Sequence, residues 1–132
     1  MAFELQDGDF PRTVIVPKDS ATVIPAGDFA GMTAGLAVDA VAATTAIAWC
    51  PEGAVNGQTT CELTVGNSFT LRGTADANFA AADRGALADI TDAQLIDVSG
   101  NTTDVLKVDI SQNAGTVGST LDVVVRINKP LF

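Results

Sequence analysis

Between residues 60 and 65 apolar and polar side chains alternate, with Cys61, Leu63 and Val65 on one side and Thr60, Glu62 and Thr64 on the other. A period of two is the mark of a strand with one buried face. The same rhythm runs through Leu121, Val123, Val125 and Ile127, set against Asp122, Val124, Arg126 and Asn128. Val124 interrupts the polar side of that strand, so both of its faces are expected to be partly covered. Shorter stretches of the same kind predict strands over 13–16, 36–41, 45–50, 68–72, 95–98 and 105–110.

Most of these stretches are separated by Gly27, Gly31, Asn56-Gly57, Gly66-Asn67, Gly73, Gly100-Asn101 or Gly115, which read as turns. Pro17, Pro25, Pro51 and Pro130 lack a backbone donor and belong at strand ends, edges or loops. Helix signals are thin, because the Ala-rich segments are interrupted by Gly, Thr and Asp and carry no large apolar residues at three-four spacing. One short helix or turn is predicted over 78–83. No internal repeat is visible. Many short, evenly punctuated strands predict an all-β fold, a small antiparallel β-barrel or sandwich.

The first residues hold Phe3, Leu5 and Phe10 among acids and carry little secondary-structure signal. They are read as an extended N-terminal arm over 1–12, followed by a single β domain over 13–132. Three large apolar side chains need a surface to cover, either on the chain's own domain or on a neighbour.

With 132 residues, 47% hydrophobic and 17% charged, the chain has enough apolar material to close one core without disulfides or metals. Its charge density is too low for an intrinsically disordered chain. The net charge is −9 and the pI about 4.1. The seven basic residues are scattered, so no stripe exists to neutralise phosphates, and nucleic acid is not expected as a partner. Anionic membrane surfaces are disfavoured for the same reason, and a basic protein surface is the better electrostatic match. The start of the sequence lacks a basic segment followed by an apolar run, so synthesis and retention in the cytoplasm are expected. Residues 29–49 approach the length of a membrane span with one charge, Asp39. They are mostly Ala, Gly and Thr, and Asp39 near the centre would cost about 2.5 to 3.5 kcal/mol on insertion, so no span is expected.

Candidate chemistry is sparse. There is no His and no Tyr, which removes the commonest general base and metal ligand, and phenolic acid catalysis. Lys18 and Ser20 could be imagined as a nucleophile pair, but they sit two apart in a Pro-flanked loop with no oxyanion signature. Asp7-Gly8-Asp9 resembles part of a calcium loop, yet the twelfth position is Lys18 where an EF-hand needs Glu. A looser site with Asp28 or Asp76 is a weaker reading than a solvated acidic turn. Asp89 with Asp92, or Asp104 with Asp109, could suggest paired carboxyls for glycoside hydrolysis, but such pairs are expected by chance in a chain this acidic. Residues 31–35 match neither a dinucleotide nor a Walker loop. The expectation is a binding protein with no catalytic residues, no metal and no cofactor.

Cys50 and Cys61 flank the loop of an expected hairpin. A two-residue Asn56-Gly57 turn would set Cys50 opposite Leu63 and not Cys61, so a disulfide would need a longer loop or a bulge. Cytoplasmic synthesis favours two buried thiols over a bridge formed later. Trp49, the sole Trp, is expected in the core or, as the second reading, in a subunit interface.

The second half of the chain, with Phe69-Thr70-Leu71-Arg72-Gly73-Thr74-Ala75, Phe79-Ala80-Ala81-Ala82-Asp83-Arg84-Gly85-Ala86 and Ala88-Asp89-Ile90, resembles the small decoration, or cement, proteins of tailed-phage heads. The resemblance covers mainly residues 69–130 and includes the Asp83 to Gly85 turn, the Gly100-Asn101-Thr102-Thr103 loop and the closing strand after Gly118-Ser119-Thr120. The Ile24-Pro25-Ala26-Gly27-Asp28 turn also occurs in several of those proteins.

What the resemblance implies is a β-barrel or β-tulip-like domain, commonly a homotrimer, that sits where capsid subunits meet and reinforces the mature shell. The major capsid protein is then the expected partner, and the virion surface the expected location. Phe3, Leu5, Phe10 and Arg12 are the residues expected to contact the shell. The alternatives are another phage head or tail component, and a carbohydrate- or receptor-binding β-sandwich. Against the last stands the shortage of aromatic platforms, with one Trp, no Tyr and six Phe.

Overall fold

A computed structural model describes residues 2–8, 11–113 and 117–132. Its strands are β1 (Glu4–Asp7), β2 (Arg12–Pro17), β3 (Asp28–Thr33), β4 (Leu36–Asp39), β5 (Ala48–Cys50) and β6 (Thr60–Val65) in the first half. The second half adds β7 (Thr70–Ala75), β8 (Leu87–Asp92), β9 (Leu95–Asp97), β10 (Leu106–Val108) and β11 (Val123–Ile127). The turn or helix expected over 78–83 is a single 3-10 turn at Ala81–Asp83, and another covers Ser111–Asn113. The fold is all-β, as the alternation predicts.

Five strands close a barrel in the order β7, β11, β10, β8, β9, and back to β7. The closing pair is the one parallel pairing between these strands, with Thr74 beside Leu95 and Ala75 beside Ile96. Strand β1 lies on the same edge of β7, further toward its start, where Glu4 pairs with Arg72 and Leu5 with Leu71. The barrel is filled by Leu71, Ala75, Ala88, Ile90, Ile96, Leu106, Val108, Val123, Val125 and Ile127, all buried. These are the inward positions of a period-two pattern.

The remaining strands form a second sheet in the order β2, β6, β5, β3, β4. Its outer strands approach through a parallel bridge between Lys18 and Ala37, so the sheet curls around a smaller core of Val16, Ile24, Ala30, Ala37, Ala48, Cys50, Ala54, Cys61, Leu63 and Val65. The other face of β3 and β5 joins the barrel core through Phe29 and Trp49. The ring centroids of Phe3 and Phe29 are 4.2 Å apart and those of Trp49 and Phe69 are 6.3 Å apart. Strand β3 is therefore buried on both faces. The stretch tested as a membrane span is β3, β4 and β5, and no helix is long and apolar enough to cross a membrane among the described residues.

Two glycines read as turns lie inside strands. The 68–72 strand was expected to stop at Gly73, yet β7 continues to Ala75. Gly73 faces the Phe3 ring, and a methyl group there would overlap it. Gly31 is likewise inside β3, where a Cβ would come within 2.8 Å of the Thr44 methyl. A glycine inside a strand marks close approach of a neighbour as well as a turn.

The expected arm over 1–12 is built into the domain wherever it is described. The backbone N–H of Ala2 donates to Ala26 O and that of Phe3 to Gly27 O, β1 pairs with β7, and Arg12 opens β2. The physical reason is the Phe3 side chain, whose burial against Phe29 and Gly73 stabilises the segment in place.

Candidate interaction surface

The residues expected to meet a partner separate into three groups. Phe3 has no exposed surface and is an internal anchor. Leu5 is 44% exposed on β1, a strand with all four residues exposed. Arg12 is exposed at the start of β2, paired with Val65 of β6, so Leu5 and Arg12 stand on edge strands of two different sheets. Phe10 lies outside the described residues.

Strand β1 pairs on one side with β7 and has no strand on its other side among the described residues. The register slips between Leu5 and Asp7. Shortness, a slip and flanking acids are the means by which an edge is kept from adding foreign strands. Contact here would thus run through side chains. On the outer face Arg72 pairs with Glu4 and lies 3.7 Å from Asp122, which holds β1, β7 and the start of β11 in one charged strip. The hydrogen bond and charge of Arg72 pull Glu4 below its ordinary pKa.

Acidic charge also gathers at the β8 and β9 end. Asp89 and Asp97 are opposite each other across the strands, and with Asp76, Thr91, Thr102 and Thr103 they line a shallow cavity of about 420 Å³. Asp89 accepts the backbone N–H groups of Thr102, Thr103 and Asp104 at 2.9, 3.0 and 2.7 Å. Burial pushes its carboxyl up, but these donors outweigh it and hold the carboxyl below the ordinary range. Asp89 thus fastens the 102–104 loop; Asp109 caps another turn by accepting from Gln112 N–H at 2.9 Å.

The remaining candidates are placed as follows. The Lys18 side chain is buried, and its ammonium donates to the carbonyls of Asp19, Thr22 and Gln58. It staples two loops together, and Ser20 is exposed beside it. Asp7 accepts the N–H of Gly8 at 2.8 Å; Asp9 lies outside the described residues. Trp49 is buried, and its indole N–H donates to Gly27 O at 3.1 Å, so it is a core residue of this chain.

Cys50 and Cys61 are both free and buried. Trp49 pairs with Thr64, the register that sets Cys50 opposite Leu63, although the connection is a loop over 51–59 and not a two-residue turn. Burial, and then the neighbouring Cys61, push the Cys50 thiol up to about 12, and burial raises Cys61 as well.

One pair of carboxyls went unforeseen. Asp28 of β3 and Asp39 of β4 are diagonal neighbours on one face of the second sheet, Asp39 standing opposite Ala30, and each carboxyl influences the other. They are eleven residues apart and are brought together by the hairpin turn at Ala34-Gly35, where both residues have positive φ. Gly35 alone carries a sequence signal for that turn, since Ala rarely takes this conformation. Compared with protein-family models, curated proteins and solved structures, the chain has no match.

Proposed function

We propose that this protein is a non-enzymatic structural component of a tailed phage that binds the outside of the assembled capsid at subunit junctions, as a homotrimer, and stabilises the shell. The observation that supports the reading is β1, an edge strand whose four residues are all exposed and which carries the large apolar Leu5. It is anchored from below by Phe3, so its exposed side chains are held in a fixed array and lose little entropy on binding. The major capsid protein is the partner that this reading requires, and basic patches on it would suit a chain of charge −9.

The mechanism is mass action. A protein that binds the expanded shell and not its precursor deepens the expanded state by its binding free energy at each occupied site. In a trimer the first subunit to bind raises the effective concentration of the other two. The buried Trp49 offers no platform for a sugar, which weighs against the carbohydrate-binding alternative.

Light scattering on the purified protein, followed by co-sedimentation with expanded and unexpanded shells that lack it, tests the proposal. A trimer that pellets with expanded shells alone is expected. A monomer that pellets with neither would overturn it.

A further inference from the structure

Asp28 has no exposed surface, and its Oδ1 has no hydrogen-bond partner. Asp39 is half-buried, and its Oδ1 is likewise buried and without a partner. The two side chains share one face of the hairpin as diagonal neighbours, Asp39 standing opposite Ala30, two residues from Asp28. Two carboxylates cannot both stay charged side by side away from water, because each loses hydration and repels the other. A single proton between them turns one into a donor and satisfies both orphaned oxygens at once.

No positive side chain is paired with either carboxyl among the described residues; the amino terminus, the last of the influences on Asp28, pulls toward its charged form and is outweighed by burial. Gln94 Nε2 donates to Asp28 Oδ2 at 3.4 Å. Among the described residues, the charged or titratable groups facing the pair are Asp92 at the end of β8, which adds negative charge, and the Cys50 thiol, which pairs across the strands with Asp28. Cys61 lies beyond Cys50, and the Lys18 ammonium near Cys61 is bound to three carbonyls.

The pair sits at a joint. Phe29 N–H, next to Asp28, donates to Ala93 O at 3.0 Å, and Ala40 N–H, next to Asp39, donates to Phe29 O at 3.0 Å. Val41 bridges to Asp92. Here the hairpin of β3 and β4 is attached to the turn between β8 and β9 of the barrel.

We propose that Asp28 and Asp39 form a proton-binding pair that fastens the β3–β4 hairpin to the β8–β9 turn, and that loss of the shared proton loosens this junction. Burial first, then the Asp28 carboxyl, push Asp39 up to about 7, and burial raises Asp28. The closed junction therefore binds a proton that the open one releases. Its stabilising effect is complete below the ordinary carboxyl pKa and is lost as pH rises through about 7. The protein is tightened in mild acid and loosened in mild alkali at this one place.

Amide hydrogen exchange on the whole chain, corrected for intrinsic rates, tests this between about pH 5 and about pH 9. The opening constant read at Phe29 and Ala40 should rise by up to about tenfold per pH unit up to neutrality and then level off, while that at Leu71 in the barrel should not. In Asp39→Asn the amide can donate to Asp28 permanently, and the rise should vanish. A rise unchanged in Asp39→Asn overturns the proposal. Should that variant not fold, the carboxyl 13C titration of the wild-type protein decides: a midpoint near 7 supports the shared proton, and two midpoints in the ordinary carboxylate range of about 4 sink it. Stoichiometric binding of calcium or magnesium at the pair, abolished by Asp39→Asn, would overturn it in favour of a cation site.

Discussion

The side chain of Asn113 pairs with the backbone of Val124 as a strand would: its Oδ1 accepts the Val124 N–H at 2.8 Å and its Nδ2 donates to Val124 O at 2.7 Å. Strand β10 ends at Val108; past that point β11 is met by the Asp109 N–H, which also donates to Val124 O at 3.0 Å, and by this amide. Nδ2 also donates to Asp109 O. Asn113→Ala removes these three bonds from a fully buried site and should cost about 3 kcal/mol, with the Val124 N–H losing its acceptor while Val124 O keeps the Asp109 N–H. Thermal unfolding should fall by roughly 10 °C; a change within error would show that water replaces the amide.

Lys18 is the second buried polar staple. Lys18→Met keeps the aliphatic stem and removes the donor to the carbonyls of Thr22 and Gln58, while Asp19 O keeps the N–H and hydroxyl of Thr22, for a loss of about 2 to 3 kcal/mol. The opening should be local, and limited proteolysis should cut first in the 51–59 loop. Cleavage as slow as in the wild-type protein would refute the assignment.

A methyl group at position 73 has no room beneath the Phe3 ring. Gly73→Ala should therefore eject Phe3 and free β1, at the cost of burying that ring, about 2 to 3 kcal/mol. The amide of Phe3, which donates to Gly27 O, should lose exchange protection while that of Val108 in β10, which donates to Ala86 O, keeps its own. If β1 mediates shell binding, co-sedimentation should fall in the same variant.

Asp89 has a carboxyl held below its ordinary pKa, so it contributes stability above that value and loses it as pH falls through the folded one. Asp89→Asn should be less stable than the wild-type protein at neutral pH, and the gap should narrow as pH falls below the ordinary carboxyl range. Equal melting temperatures at neutral pH would count against the three-donor clamp.

The thiols give a chemical check. With Cys50 pushed up to about 12 and both cysteines buried, a thiol reagent at about pH 8 should label neither residue in the native protein and both on unfolding. Rapid native labelling would place them elsewhere.

How legible this fold is from sequence depends on which faces each strand buries. Strand β6 has one buried and one largely exposed side, and its limits are those predicted; Val124 is buried, so β11 is covered on both faces as that apolar side chain predicts. Strand β1 is exposed at every residue, so it has no alternation to read. Strand β3 is buried on both faces and contains a glycine, and β8 puts exposed Leu87 and buried Asp89 against the usual rule. The carboxyl pair was hidden for another reason: Asp28 and Asp39 meet through a turn that uses Ala34 at φ 52, which no turn propensity marks.

The seating of β1 on β7 also sets a timetable. Residues 3–7 leave the ribosome long before residues 70–75, and the pocket that holds Phe3 does not exist until β7 has been made and closed against β11 and β9. Strand β1 is thus made well before the surface that holds it, and the barrel awaits residues 123–127. The domain therefore cannot close until those residues have been made, and Phe3 stays without its pocket in the interval.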